Sequence, residues 1–232
     1  MTLSATQYQY LQALGIEVWL GRDRQADVTV AAEQAPMVSG QDPVSAPVSD
    51  WERLQQQVSV CTLCSLSQTR KQTVFGVGAP DADLMIIGEA PGAEEDKRGE
   101  PFVGRAGKLL DSMLSAIGFT REQVFIANIL KCRPPENRNP GPEEVAACEP
   151  YLQQQIAAVQ PKLLLALGRV AAQNLLKVDT PIGRMRGQQY SYGDTDIPVV
   201  VSYHPAYLLR APREKRKSWQ DLQLVMRIYK QS

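Results

Sequence analysis

Four short apolar runs, each separated from the next by a segment with helical spacing, constrain the fold of this chain most strongly. The runs cover residues 84–87, 124–127, 163–167 and 197–201. Helical spacing covers residues 104–117, 142–159, 168–176 and 213–229, and a proline at 150 is expected to kink or break the second of these helices. Apolar strands that alternate with helices are typical of a parallel sheet covered on both faces. We therefore predict an α/β fold with three layers, α/β/α, around a central four-stranded parallel sheet.

The first 50 residues differ from the rest of the chain in composition and in hydrophobic pattern. Residues 3–20 have the spacing of a short amphipathic helix, and residues 25–50 are rich in Ala, Val, Pro, Gln and Ser without a sustained period, which is typical of a linker. We predict an N-terminal extension over residues 1–50 and one folded domain over residues 51–232.

Hydropathy argues against a membrane or secreted protein. No apolar run approaches the roughly 20 residues of a membrane-spanning helix, and residues 1–20 lack the basic start and continuous apolar stretch of a secretory signal. We expect a protein of the reducing cytoplasm without membrane contact. Its four cysteines are then more readily ligands or bystanders than disulfides.

The formal net charge of zero, from 25 basic and 25 acidic residues, hides an asymmetry. Residues 1–60 carry a net charge of −4, residues 61–232 carry +4, and the segment from residue 204 to the end carries +5. A basic end on a neutral protein suggests an anionic partner, and a solvated helix face is the alternative interpretation.

Polar and glycine-rich segments stand where the predicted strands end. They are residues 88–92 (GEAPG), Asn128, residues 168–169 (GR) and residues 202–205 (SYHP). In open parallel sheets, ligands bind beyond the carboxyl ends of the strands. The GEAPG segment is neither a dinucleotide fingerprint nor a P-loop, because the lysine and spacing of those motifs are missing. The sequence therefore predicts a binding site of another kind at this edge, although a strand-to-helix turn is the alternative for GEAPG alone.

Three side chains at this edge have both a functional and a structural interpretation. Phe102 follows a proline at a loop edge, where it is poorly placed for a core; it could stack on a planar ligand or simply cover the sheet end. Asn128 offers one acceptor and two donors, which suit an amide-like base edge, or it caps a turn. His204 is the single histidine, so any imidazole chemistry depends on it, although a lone histidine is often structural.

The cysteines fall into two pairs. Cys61 and Cys64 form a C-x2-C pair that can grip one metal ion or cluster, and Cys132 and Cys148 follow later in the chain. A zinc ribbon normally has a second C-x2-C, which this chain lacks, whereas the fourth ligand of a cubane iron–sulfur cluster can be remote in sequence. Spacing favours ligation by all four cysteines, with zinc and a cluster both open; a buried apolar Cys148 is the alternative.

Taken in order, the motifs carry a strong resemblance. GEAPG, ED, G-x-PFVG-x-AG, N-x-x-KCRPP-x-NR-x-P and HPAYLLR, together with the four cysteines, resemble those of the family-4 uracil-DNA glycosylases. These are the iron–sulfur members of the uracil-DNA glycosylase superfamily. The resemblance covers roughly residues 51–230, and residues 1–50 lie outside it.

The resemblance implies an enzyme that hydrolyses the N-glycosidic bond of flipped-out uracil in single- and double-stranded DNA and leaves an abasic site for base excision repair. Phe102 would stack on the uracil, and Asn128 would bind its O4 and N3 edge and so reject cytosine. His204 would donate a hydrogen bond to O2 as negative charge develops there. Glu89 would position or activate water or stabilise the sugar cation. The better-known uracil-specific branch has an aspartate where this chain has Ala90, so this position supplies no general base.

The remaining implied residues line the site or bind DNA and the cofactor. Glu95 would belong to the polar wall, and Gly88, Ala90 and Gly92 would provide main-chain amides and close approach. The candidates for DNA contact are Lys131, Arg133, Arg138, Arg210, Arg213 and Lys215, with Leu208 and Leu209 as wedges in the minor groove. A structural [4Fe-4S] cluster would be held by Cys61, Cys64, Cys132 and Cys148. We expect a monomer that associates with the nucleoid. A zinc-stabilised DNA-binding module without catalysis is the alternative of a different class.

Overall fold

A computed structural model of the chain describes residues 49–231. The predicted helix at residues 3–20 and nearly all of the predicted linker lie outside these residues, so the proposed division at residue 50 stays a prediction. Within the described residues, no helix is both long enough and apolar enough to cross a membrane.

Within residues 49–231, six strands form one mixed sheet with the order β1-β3-β2-β4-β6-β5. The strands are β1 (Val77–Gly78), β2 (Leu84–Gly88), β3 (Phe125–Asn128), β4 (Leu163–Leu167), β5 (Gln189–Ser191) and β6 (Pro198–Ser202). The four central strands β3, β2, β4 and β6 run parallel, which confirms the predicted parallel core. Two short antiparallel strands, β1 and β5, extend the sheet at its edges and were not predicted.

Helices cover both faces of the sheet. They are α1 (Asp50–Ser59), α2 (Ala93–Arg98), α3 (Arg105–Ala116), α4 (Pro142–Val159), α5 (Arg169–Leu176), α6 (Ile182–Met185), α7 (Pro205–Arg210) and α8 (Lys215–Tyr229). Short 3-10 turns lie at Ser65–Gln68, Arg121–Gln123, Pro135–Asn137 and Pro212–Glu214.

Alternate residues of each central strand belong to two separate cores. In β2, Met85 and Ile87 pack with α1, α4 and α5, whereas Leu84 and Ile86 pack with α3, α7 and α8. Successive side chains of a strand point to opposite faces, so a strand with apolar residues at every position requires two covering layers. The three-layer prediction is confirmed.

A kink or a break was predicted at Pro150; a break is wrong, because α4 runs through this residue as one helix of 18 residues. Proline removes one helical hydrogen bond. Cys148, Leu152 and Ile156 on the same helix are buried in the core, and we attribute the survival of the helix to their packing.

Candidate active site

A cavity of about 450 Å³ opens at the carboxyl edge of the parallel strands. Its lining includes most of the predicted site residues: Glu89, Ala90, Gly92, Glu95, Phe102, Asn128, Arg138, His204 and Arg210. These residues come from the ends of β2 and β3, from α2 and the residues before it, from the loop before α3, from the segment before α4, and from α7 with the residue preceding it. The topology therefore brings together the polar residues that follow separate strands, as predicted.

Gly88 forms the floor on which two of these side chains rest. A β-carbon at this position would lie 2.7 Å from Cζ of Phe102 and would also collide with Oδ1 of Asn128. Gly88 and Asn128 are register partners in β2 and β3. The glycine thus lets the phenyl ring and the amide sit side by side against one Cα atom, which explains why this position needs a residue without a side chain.

Phe102 is held in a strained conformation. Its φ angle of 54° lies in the left-handed region, which costs a bulky residue about 1–3 kcal/mol and persists only where neighbours enforce it. One carboxylate oxygen of Glu95 accepts the N–H groups of Val103 (3.0 Å) and Gly104 (3.1 Å) just beyond the ring. A β-carbon at Gly107 would collide with the carbonyl of Phe102, so α3 can approach this turn only through a glycine.

The expectation that Phe102 is poorly placed for a core is wrong in one respect. The residue is only 6% exposed and packs in the same core as Leu110 and Leu114, while its ring also lines the cavity. The left-handed turn is what directs a loop residue inward, and a sequence pattern does not show that turn.

His204 lies against Phe102, with ring centroids 5.4 Å apart and an angle of 26° between the planes. Its Nδ1 accepts the N–H of Ala206 at 3.1 Å, at the start of α7. In the neutral imidazole one nitrogen accepts and the other donates, so this bond assigns the proton to Nε2. Burial, and then the positive charge of Arg210, lower the pKa of His204 to about 4. The site therefore holds a neutral imidazole with one N–H available.

Glu89 and Asn128 complete the polar part of the cavity. Burial raises the pKa of Glu89, and the nearby Arg169 partly offsets this. Asn128 is 2% exposed, and among the described residues none hydrogen-bonds its side-chain amide. Its nitrogen and oxygen are not among the enclosed unpaired atoms of the described residues, so they face the cavity, where a ligand can bind them. Asn128 is thus positioned to bind the polar edge of a planar ligand.

Part of the cavity wall consists of residues that were not predicted individually. Pro134, Asn137 and Asn139 line the cavity beside Arg138. Both Glu136 and Asn137 have left-handed φ angles, 54° and 55°. These residues lie in or beside the family motif N-x-x-KCRPP-x-NR-x-P, but a motif does not reveal which of its side chains face the cavity. Ala106, Ala206 and Tyr207 of the lining were likewise absent from the predicted set.

An ion pair anchors this wall to α4. Arg138 makes two hydrogen bonds to the carboxylate of Glu144, at 2.5 and 2.9 Å, and Glu144 is 6% exposed. The same carboxylate accepts the N–H of Gly141 at 2.7 Å. The Arg138 guanidinium holds the pKa of Glu144 below its ordinary value. Two of the hydrogen bonds that Arg138 can donate are therefore used to hold the segment before α4 in place.

Two predicted DNA contacts are wrong because their side chains are buried. Lys131 is 1% exposed; its Nζ donates to the carbonyl of Asn128 (2.9 Å) and to Oε1 of Gln155 (2.6 Å). Leu208 is also 1% exposed and packs in the core beneath α7. Neither can reach DNA in this conformation.

The other DNA candidates remain predictions. Arg210, Arg213 and Lys215 are exposed, and Leu209 is half-buried. Arg133 is half-buried and donates through Nε to Asn137 at 2.8 Å.

None of the four cysteines forms a disulfide; Cys132 and Cys148 are buried, and Cys61 and Cys64 are half-buried. A guanidinium nitrogen of Arg70 donates to Sγ of Cys132 at 3.1 Å, and the backbone N–H of Lys131 donates to Sγ of Cys148 at 3.2 Å. Burial raises the pKa of both thiols, that of Cys148 to about 11.

The four thiols are close enough to influence one another electrostatically. Among residues 49–231, however, no three His, Cys, Asp or Glu side chains are arranged to hold a single metal ion. The chemistry of this donor set, four free cysteines with N–H groups already directed at two sulfurs, fits a thiolate-bound cluster.

Comparison with known proteins agrees with this fold and site. The model of the uracil DNA glycosylase superfamily matches residues 75–223, which include every strand and the whole cavity. The protein belongs to this superfamily.

The curated relatives specify the branch. A type-4 uracil-DNA glycosylase from Archaeoglobus fulgidus is 43% identical over 73% of this chain and 88% of its own length. Type-4 enzymes from Sulfurisphaera tokodaii and Thermotoga maritima are 41% and 43% identical, over 75% and 68% of this chain and 82% and 83% of their own. Within the superfamily, the chain is a member of the type-4 family.

Proposed function

We propose that this protein hydrolyses the N-glycosidic bond of uracil in DNA and leaves an abasic site. The observation that carries the proposal is the arrangement in one cavity of an amide without a protein partner (Asn128), an aromatic wall (Phe102) and a neutral imidazole with a free N–H (His204). The membership in the type-4 family supports the same activity.

A base inside a duplex cannot reach this cavity, so the target nucleotide must leave the stack, and a mispaired uracil costs least to extrude. Once inside, uracil offers an N3–H donor and an O4 acceptor, which match the acceptor and donors of the Asn128 amide. Cytosine presents the opposite pattern on these atoms and would leave buried polar groups unpaired. Such mismatches give strong discrimination.

Cleavage leaves negative charge on the departing uracil, largely at O2, and positive charge on the sugar. The Nε2–H of His204 would donate to O2, and its low pKa supports action as a neutral donor rather than as an acid. Glu89 would face the sugar, where a carboxylate stabilises the cation or orients the attacking water. Ala90 offers no second carboxylate beside it.

DNA would approach over the rim of the cavity. Arg210 lines the cavity; Arg210, Arg213 and Lys215 are all exposed and are candidates for phosphate contacts. Leu209 is the remaining wedge candidate, and Tyr207, which is 38% exposed on the cavity wall, is a second apolar group that could enter the minor groove. We propose that both single- and double-stranded DNA bind this rim, because extrusion from a duplex presents the same unstacked nucleotide.

The four cysteines would hold a [4Fe-4S] cluster. A cubane distributes its thiolates over four iron atoms, and this chain supplies four cysteines, none of them in a disulfide. The cluster would tie the segment after α1 to the loop after β3 and to α4; we propose a structural role for it. A monomer in the reducing cytoplasm, associated with the nucleoid, remains our proposal for the working state.

The test is uracil release from single- and double-stranded oligonucleotides, without added metal, by protein whose visible absorption is recorded first. We expect free uracil, alkali-labile abasic sites and the brown colour of a cluster. Cluster-loaded protein that binds DNA but releases no uracil would refute the proposal. Colourless protein that contains zinc and binds DNA without cleavage would instead establish the non-catalytic alternative.

A further inference from the structure

Lys131 has an unusual environment for a lysine. It is 1% exposed, and its ammonium group donates to two neutral oxygens, the carbonyl of Asn128 and Oε1 of Gln155. Gln155 is itself fully buried and donates through Nε2 to the carbonyl of Phe75 at 2.9 Å. Among the ion pairs of the described residues, none joins Lys131 to a carboxylate. A buried charge without an opposite charge is costly, so its compensation must be sought elsewhere.

The groups of opposite charge nearest to Lys131 belong to the cysteines. Its backbone N–H donates to Sγ of Cys148, and Cys132 is the next residue in the chain. Four thiolates outweigh the positive charge of a cubane core, so a loaded cluster is a net anion. In the loaded protein, the ammonium would therefore face an anion on one side and the active-site strand on the other.

The contact with Asn128 has a consequence for the site. Lys131 binds the backbone carbonyl of Asn128, the residue whose side-chain amide would read the base. The next residue, Ile129, is bound to β2: its N–H donates to the carbonyl of Gly88 at 2.9 Å. The side chain of Asn128 has no partner of its own, so its direction depends on how firmly its backbone is held.

We propose that Lys131 is a positioning residue that couples the four-cysteine site to Asn128. Its charge is balanced by the cluster, and its hydrogen bond orients the backbone of the residue that reads the base. The proposal rests on the uracil-excising function and deepens it. It also explains why a lysine stands in this buried position, where an apolar side chain would pack without the cost of a charge.

The test is Lys131→Met in cluster-loaded protein, since methionine fills similar space without charge or donors. Displacing a group that orients substrate slows the chemical step, so we expect single-turnover uracil excision to fall about tenfold. The Kd for uracil-containing DNA should change less than twofold. Loss of the adjacent cation should also shift the reduction potential of the cluster to a more negative value and speed its bleaching by an iron chelator.

Two further variants keep the test decisive. Lys162→Met removes an exposed lysine paired with Asp83 at the other edge of the sheet, and it should leave all four measurements unchanged. Gln155→Leu removes one partner of the ammonium but keeps its charge, so we expect slower excision with an unchanged potential. If Lys131→Met does not fold, this variant still separates the two roles.

Wild-type excision by a folded Lys131→Met protein would overturn the proposal, and so would an unchanged potential. Equal losses of excision and DNA affinity in Lys131→Met would also overturn it, because they indicate a general structural defect. Failure of the proposed function looks different: the wild-type protein itself would release no uracil, while the potential and bleaching measurements would still report on Lys131 and the cysteines.

Discussion

The two edges of the sheet each carry a cavity, and the larger one has fewer features of a binding site. The cavity at the amino edge measures about 650 Å³ and is lined by Asp81, Asp83, Glu122 and Tyr229, among others. Its Asp83 is satisfied by the hydroxyl of Tyr229 at 3.1 Å and by Lys162 at 3.2 Å. An acidic wall of this kind repels phosphate.

The cavity at the carboxyl edge is smaller, at about 450 Å³, but its polar groups are not all satisfied internally. It combines a free amide, a neutral half-buried imidazole and a strained aromatic residue with the exposed Arg210. Strain and desolvation persist where the surrounding structure enforces them, commonly at functional sites. The chemical state of the lining, rather than the volume of the cavity, therefore distinguishes the functional edge of the sheet.

The largest expected effect comes from His204→Ala. Loss of one donor to a developing anion typically costs about 10²–10³ in rate. Single-turnover excision should fall by this factor, while the Kd for DNA stays nearly unchanged. Tyr229→Phe at the amino edge, which removes the hydroxyl bound to Asp83, is the control and should excise at the wild-type rate. Equal losses of rate and affinity in His204→Ala would refute the role of an anion-stabilising donor.

The next effect concerns base selection. In Asn128→Asp, a carboxylate repels O4 of uracil and accepts hydrogen bonds from the amino group of cytosine. The ratio of uracil to cytosine excision should fall about 10- to 100-fold, equivalent to about 1–3 kcal/mol for a mispaired buried group. The matched control is Gln123→Glu, the same amide-to-acid change beside the amino-edge cavity, where selectivity should not change. An Asn128→Asp protein that unfolds would mark the asparagine as structural.

The smallest effect is on stability as a function of pH. His204 has a pKa of about 4 in the folded protein against an ordinary value of 6.5, so the unfolded chain binds more protons between these values. Its contribution to stability is complete above pH 6.5 and is lost as the pH falls toward 4. From pH 7 to pH 5.5 the wild type should lose about 1 kcal/mol more unfolding free energy than His204→Gln. Urea titrations at both pH values check this; parallel losses would contradict a neutral imidazole at His204 in the folded protein.

Much of the fold could be predicted because its signal is local. The central strands are apolar at almost every position, and this pattern requires a layer of helices on each face of the sheet. The edge strands β1 and β5 escaped because they span two and three residues, and none of their residues is fully buried. Short strands of this kind owe their pairing to the neighbouring strand, so their own sequence contains little evidence of it.

The site was predictable to the extent that topology determines it. Glu89, Asn128 and His204 follow three different strands, and parallel strands bring their carboxyl ends to one edge. Lys131 and Leu208 were wrongly predicted to contact DNA, because short segments that follow a strand have no hydrophobic periodicity to show which side chains are buried. A lysine is expected at the surface, and only the three-dimensional surroundings reveal that this one is enclosed.

The floor at Gly88 also limits how the enzyme can be redesigned. Any side chain there displaces both the phenyl ring and the amide, so a library that varies this position alone should return glycine almost exclusively. Accepting a bulkier base would require simultaneous changes at Gly88, Phe102 and Asn128, and each intermediate would be less fit. Selection can therefore change the rim of the cavity one residue at a time, whereas a change at Gly88 requires several substitutions together.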